Sequence, residues 1–210
     1  MAAYKNLNIN SFQKIAKSCA VISFRYNIIG GLNPNEQEDI YNKIATGISS
    51  NKSFNLEDFH AAYVLDPNFE NDFITKQFKR TAKNHKIVKY IYSKIERHIY
   101  RNDLNSESDN FTIEHILPES ADESWGDFNN EQINRSIYRL GNLALLESTL
   151  NKDAGVKSYH DKKEIFAKSN CYSTRSISEN YNDWNESKIS ARQRELSKLA
   201  KSIWRIQELN

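Results

Sequence analysis

Over the first hundred residues apolar positions recur at helical spacing, and over residues 111–116 they come every second residue instead. A first helix is expected over residues 10–29, closed by Gly30 and Gly31, because glycine supplies the left-handed turn that ends a helix. Asn33-Pro34-Asn35-Glu36 then offers a cap, a proline at the first helical position and an acid in the first turn, starting a second helix that reaches about residue 48. A short helix follows Asn55, and another begins near Asn68 or Asn71. The clearest lies over residues 84–100, where Val88, Ile91, Tyr92, Ile95 and Ile99 form one apolar stripe among basic residues.

The period then changes. Phe111-Thr112-Ile113-Glu114-His115-Ile116 alternates and stops ahead of Pro118, which predicts a short strand. Leu143-Ala144-Leu145-Leu146 is its candidate partner, and residues 157–168 read as a helix with Tyr159, Ile165 and Phe166 on its apolar side. Strand, strand and helix in that order make a ββα unit. A closing amphipathic helix is expected over residues 186–204, capped near Asn185, with Ile189, Leu196, Leu199 and Ile203 on one face. The expected fold class is α+β, predominantly helical. A helical domain would occupy residues 1–105, and the ββα unit with its C-terminal helix residues 106–210.

That boundary rests on charge as well as period. Residues 72–101 carry nine Lys or Arg against two acids, whereas residues 103–134 carry nine acids and no Lys or Arg, with a polar, turn-rich stretch at 102–110 between them. With 39% hydrophobic and 27% charged residues the chain is a globular protein. Its most apolar run, Cys19 to Phe24, is interrupted by Arg25 and is far short of the roughly 20 residues of a membrane span. No secretory signal is legible, so the default setting is cytoplasmic. Cys19 and Cys171 form no paired motif and read as free buried thiols.

The strongest chemical signal is Glu114-His115-Ile116-Leu117-Pro118. Phosphodiester hydrolysis needs a base to take a proton from water and a cation to hold the charge that develops on the phosphate. A histidine beside a carboxylate can serve both needs, although the same pair also suits an ordinary half-buried strand. Asn142 and Asn151 offer neutral carbonyl oxygens of the kind that ligate Mg²⁺ or orient a histidine, and each alone also suits a cap or turn. Lys152, Lys157, Lys162 and Lys163 flank the second asparagine, and Lys86 and Lys89 lie in the basic stretch. These lysines are candidate phosphate contacts or plain solvated surface. His60, His85, His98 and His160 lack such neighbours and read as structural.

Taken together, Glu114 to Pro118, Trp125, Arg139-Leu140-Gly141-Asn142-Leu143-Ala144-Leu145-Leu146, Asn151, and Trp184 followed by Ile189-Ser190-Ala191-Arg192 resemble one family. It is the C-terminal nuclease domain of GmrSD-type modification-dependent restriction enzymes. The resemblance covers about residues 111–204. It implies an HNH (ββα-metal) endonuclease that hydrolyses double-stranded DNA with one Mg²⁺ or Mn²⁺ ion. His115 would be the general base, Asn142 would orient His115 or the scissile phosphate, and Glu114 and Asn151 would be metal ligands. It also implies restriction or antiviral defence beside a nucleotide-hydrolysing sensor. No phosphate-binding glycine loop occurs in this chain, so that sensor is expected in another domain or subunit. The alternative is a module that binds DNA or assembles on the same scaffold without cutting. A metalloprotease is disfavoured by the lack of a His-Glu-x-x-His segment.

Overall fold

Asparagine side chains start the first long helices. Asn8 accepts a hydrogen bond from the Ser11 amide at 2.9 Å and caps α2 (Ile9–Ser23), which follows the short α1 (Ala2–Asn6). Asn33 accepts from the Asn35 amide at 3.1 Å ahead of Pro34 and begins α3 (Pro34–Ser49). α2 continues through a wider turn, Phe24–Ile29, and ends where Gly31 takes φ +62°, as the glycine pair predicts. Asn55 closes a capping box on a 3-10 turn, Leu56–Ala62, and α4 (Asp66–Thr75) follows. The computed structural model describes residues 1–126 and 128–210. It forms two compact units, Met1–Phe73 together with Trp204–Asn210, and Ile74–Ile203. The polar stretch at 102–110, expected to separate domains, lies inside the second unit. The charge break there marks the passage from a basic helix to a strand.

Arg25 holds the first unit to its C-terminal tail. Its guanidinium is fully buried and donates to the carbonyls of Trp204 and Val64 and to the Asp66 carboxylate. It also lies 4.6 Å from the Tyr63 ring centre and 4.5 Å from that of Phe69. Trp204 stacks on Phe24 at 3.9 Å. A buried guanidinium is tolerated only when its donors are satisfied and its charge matched. Asp66 supplies the match. Burial raises its pKa, but hydrogen bonds from Arg25 and Asn210, with the charges of Arg25 and Arg205, outweigh that and hold it below the ordinary 3.8. A carboxyl whose pKa is depressed in the fold contributes stability that is present above its unfolded value and lost as pH falls through its folded one. The gap in melting temperature between the native chain and Asp66→Asn should therefore narrow on acidification from about pH 5 to about pH 2. A gap independent of pH would contradict this account.

The second unit carries the sheet. α5 (Ala82–Ile95), capped by Thr81, extends by one wider turn to Tyr100. β1 (Phe111–His115) pairs antiparallel with β2 (Leu143–Glu147), and α6 (Asn130–Ser136) lies in the connection between them. α7 (Ser148–Ala154), α8 (Tyr159–Phe166), α9 (Tyr172–Asn180) and α10 (Glu186–Ile203) follow. The fold is α+β and mostly helical, with one two-stranded sheet among the described residues. β2 is the centre of this unit: Leu143, Ala144, Leu145 and Leu146 are all buried, which explains a continuous apolar run where β1 alternates. Ile116, Leu117, Trp125, Phe166, Ile177, Trp184 and Ile189 complete the core around it.

The turn into β2 is fixed from two sides. The Tyr92 hydroxyl lies within hydrogen-bonding distance of the carbonyls of Leu140, at 2.7 Å, and Leu143, at 2.6 Å. From α10, Arg192 donates to the carbonyls of Gly141 and Leu143, and the Gly141 amide donates to Gln193. Gly141 must be glycine, since a Cβ there would run into the Ile189 carbonyl and come within 3.1 Å of the Gln193 amide nitrogen. Among the described residues no helix is long and apolar enough to cross a membrane.

Candidate active site

The C-terminal end of β1 opens on a cleft of about 540 Å³. His115, Glu119, Asn151, Lys152, Arg80 and His85 are among its walls. Three stretches far apart in sequence converge here: the lead-in to α5, the end of β1 with the turn after Pro118, and α7. α7 brings Asn151 and Lys152 to the cleft because it follows β2 directly, so its side chains stand beside the strand paired to β1.

Adjacent on β1, Glu114 and His115 take different partners, as strand alternation requires. Glu114 turns inward, where its Oε1 accepts from Lys162 Nζ on α8 at 2.6 Å. Lys162 also donates to the His115 carbonyl at 2.8 Å, so one ammonium ties α8 to the end of β1. Burial pushes the Glu114 carboxyl up and the Lys162 ammonium down, and the attraction between them opposes both shifts. The His115 ring meets the edge of Tyr138 at 5.9 Å, and its Nε2 lies 3.9 Å from Glu119 Oε1. Burial first, then the charges of Lys162 and Arg80, lower the His115 pKa from 6.5, while Glu119 works the other way. That direction favours the neutral ring, the form that can accept a proton.

Asn142 is fully buried beneath this site. Its Oδ1 accepts from the Leu117 amide at 2.9 Å and from the Trp184 indole at 3.1 Å, and its Nδ2 donates to the carbonyls of Leu117 and Ile137. Its own carbonyl accepts from the Ile116 amide at 2.9 Å. Asn142 thus clamps the backbone leaving His115, and its amide is directed at that backbone and at Trp184 instead of into the cleft.

The lysines expected to meet phosphate separate into three groups. Lys86 and Lys152 are exposed, and Lys152 lines the cleft. Lys157 pairs with Asp153 at 2.5 Å, and Lys163 donates to Asn182 at 3.0 Å. Lys89 and Lys162 correct the expectation, because both are interior. Lys89 donates to the Ser108 carbonyl at 2.6 Å, and Lys162 is held by Glu114. A long aliphatic stem lets a lysine cross the apolar side of a helix, so a count of basic residues does not separate buried from solvated ones. His85, read as structural, stands in the cleft wall, and Arg80 and Glu119 were not singled out by their sequence neighbours. Glu119 had one signal available, its position four residues beyond His115.

The sequence profile described as GmrSD restriction endonucleases, C-terminal domain, matches residues 63–199. The chain belongs to this family. All the cleft residues named above fall inside the matched span. Membership in a restriction-endonuclease family implies nuclease activity with DNA as substrate. Among curated proteins none matches the chain.

Proposed function

We propose that this GmrSD C-terminal domain is an HNH-type, ββα-metal endonuclease that hydrolyses DNA phosphodiester bonds with His115 as general base. The observation that carries the reading is a half-buried His115 at the end of β1, sharing a cleft with Asn151 and Lys152 of the helix that follows β2. β1, β2 and α7 would be the ββα unit, with α7 in the place that the sequence assigned to the helix at 157–168, because α7 follows β2 directly. A water oxygen forms the new bond to phosphorus, its proton passes to an imidazole nitrogen of His115, and the bond from phosphorus to the departing deoxyribose oxygen breaks. Lys152, exposed at the rim, supports binding of the phosphate backbone. Asn142 keeps His115 in place by holding residues 116 and 117.

The donor set fits one hard divalent cation that retains much of its water shell. Asn151 offers a carbonyl oxygen in the cleft, and Glu114, which also borders it, keeps its carboxylate turned inward on Lys162, so it would act on a cation through water or on releasing that lysine. Mg²⁺ is commonly held in this open way, by one or two protein oxygens together with water and substrate phosphate. Bound there, Mg²⁺ or Mn²⁺ would neutralise charge developing on the phosphate and the departing oxygen. A nucleotide-hydrolysing sensor in another domain or subunit would select modified DNA, which gives the chain a role in restriction of foreign DNA.

Supercoiled plasmid incubated with the purified chain should be nicked or linearised with Mg²⁺ or Mn²⁺ and left intact in excess chelator. Cleavage that persists in chelator would overturn the metal-assisted reading. DNA binding without cleavage at any concentration of either ion would favour a non-cutting module.

A further inference from the structure

Glu119 is a carboxylate in the cleft to which the motif assigns no role. One of its oxygens faces His115 Nε2 at 3.9 Å, and the other accepts from Arg80 Nη1 at 2.9 Å. The shorter contact is with Arg80, so the carboxylate is drawn away from the ring, and 3.9 Å is too long for a hydrogen bond. Tyr138 also hydrogen-bonds this carboxylate, and Arg80 and His115 differ in how firmly they are fixed. The Arg80 side chain is 79% exposed, and an ion pair of that kind adds little stability and is readily exchanged. The His115 ring is confined by the edge of Tyr138 and by a backbone clamped through Asn142 and Lys162.

A phosphodiester entering this cleft meets Arg80, whose planar fork of donors suits phosphate as well as it suits carboxylate. We propose that Arg80 passes from Glu119 to the substrate phosphate, and that the freed Glu119 then closes on His115 and becomes its positioning residue. The inference rests on His115 being the base. A carboxylate at Nε2 favours the tautomer protonated there and leaves the lone pair of the other nitrogen to take the proton from water. Catalytic hydrogen bonds that are long in the free protein and tighten in the substrate complex are a common arrangement. DNA loading would thereby be coupled to alignment of the base, with no movement of the fold.

The two arms of this exchange predict opposite kinetic signatures. In Mg²⁺-dependent nicking of a plasmid, Glu119→Gln should lower kcat roughly tenfold and leave KM near the native value. Arg80→Ala should mainly raise KM, and in a His115→Ala background it should reduce the salt dependence of duplex binding by about one counterion. Melting temperatures of both variants should stay near native, because the Arg80–Glu119 pair is exposed. If Arg80 serves only to brace Glu119, Arg80→Ala will reproduce the kcat loss of Glu119→Gln without a KM or salt effect, and the exchange is overturned. Native kcat in Glu119→Gln removes the positioning role while leaving the nuclease reading intact. A chain that cuts equally well as His115→Ala overturns both.

Discussion

Replacing His115 with alanine should lower metal-dependent DNA cleavage by about a thousandfold, within the range of roughly 10² to 10⁴ attributed to a positioned general base. The ring sits at the cleft, its side chain is 20% exposed, and its Nε2 contact at 3.9 Å is with another cleft residue. Its removal therefore leaves the apolar core around β2 untouched. Duplex DNA should bind the variant with close to native affinity, since the exposed cations of the cleft remain. The expected pattern is thus a collapse of kcat with little change in binding, the signature of a group that acts only as the reaction proceeds. Single-turnover cleavage beside fluorescence anisotropy separates the two quantities. A variant that cuts at the native rate would assign the base to another residue, with His85, in the same cleft, the first to examine. His115→Asn offers a second check, because it preserves much of the ring's volume and polarity without its basicity.

Local rules made much of this architecture legible. The glycine pair placed the stop of the first long helix, and Asn33 with Pro34 placed the start of α3, because each acts through bonds to residues at most a few positions away. The alternation of residues 111–115 and the apolar run at 143–146 gave both strands, and the structure pairs them. Elements with weak or misleading patterns were missed. α7 is only seven residues long and α9 nine, and serine and threonine fill much of the latter. Both are held by tertiary contacts: in α7 Ser148 donates to the Asp109 carbonyl, and in α9 Thr174 donates to the Leu145 carbonyl while Glu96 accepts from the amides of Tyr172 and Ser173. Glu96 lies more than seventy positions before the helix end it satisfies, so no local window reveals it. The cleft followed the same division. His115, Glu114, Asn151 and Lys152 were found through one pair of motifs, whereas Arg80, Glu119 and His85 come from chain segments that only the fold brings together. Burial separated the lysines, and the depth of Lys162 could not be read from a segment that otherwise looks like a solvated basic helix.

That buried lysine carries the largest expected effect on stability. Lys162 has no exposed side-chain surface and Glu114 only 5%, and their contact is 2.6 Å long. Taking both charges out of water is costly, and their attraction with the added bond to the His115 carbonyl offsets that cost only while the pair is complete. Lys162→Met keeps most of the volume, including contact with the apolar core, but leaves Glu114 as a buried carboxylate without its counter-charge. The expected loss is about 3–5 kcal/mol, a large share of the roughly 5–15 kcal/mol that holds a domain together. In the double variant Lys162→Met with Glu114→Gln no uncompensated charge remains, so much of the loss should be recovered, with a coupling of roughly 1–3 kcal/mol between the two positions. Urea unfolding of the native chain, both single variants and the double variant closes this cycle. Strict additivity would show that the pair does not hold α8 to β1. The double variant also separates fold from chemistry: it should regain stability, yet, if Glu114 helps to hold the metal, its cleavage should demand more Mg²⁺ or Mn²⁺ than the native chain does. Native metal dependence in that folded protein would remove Glu114 from the ligand set and leave its pairing with Lys162 as its whole role.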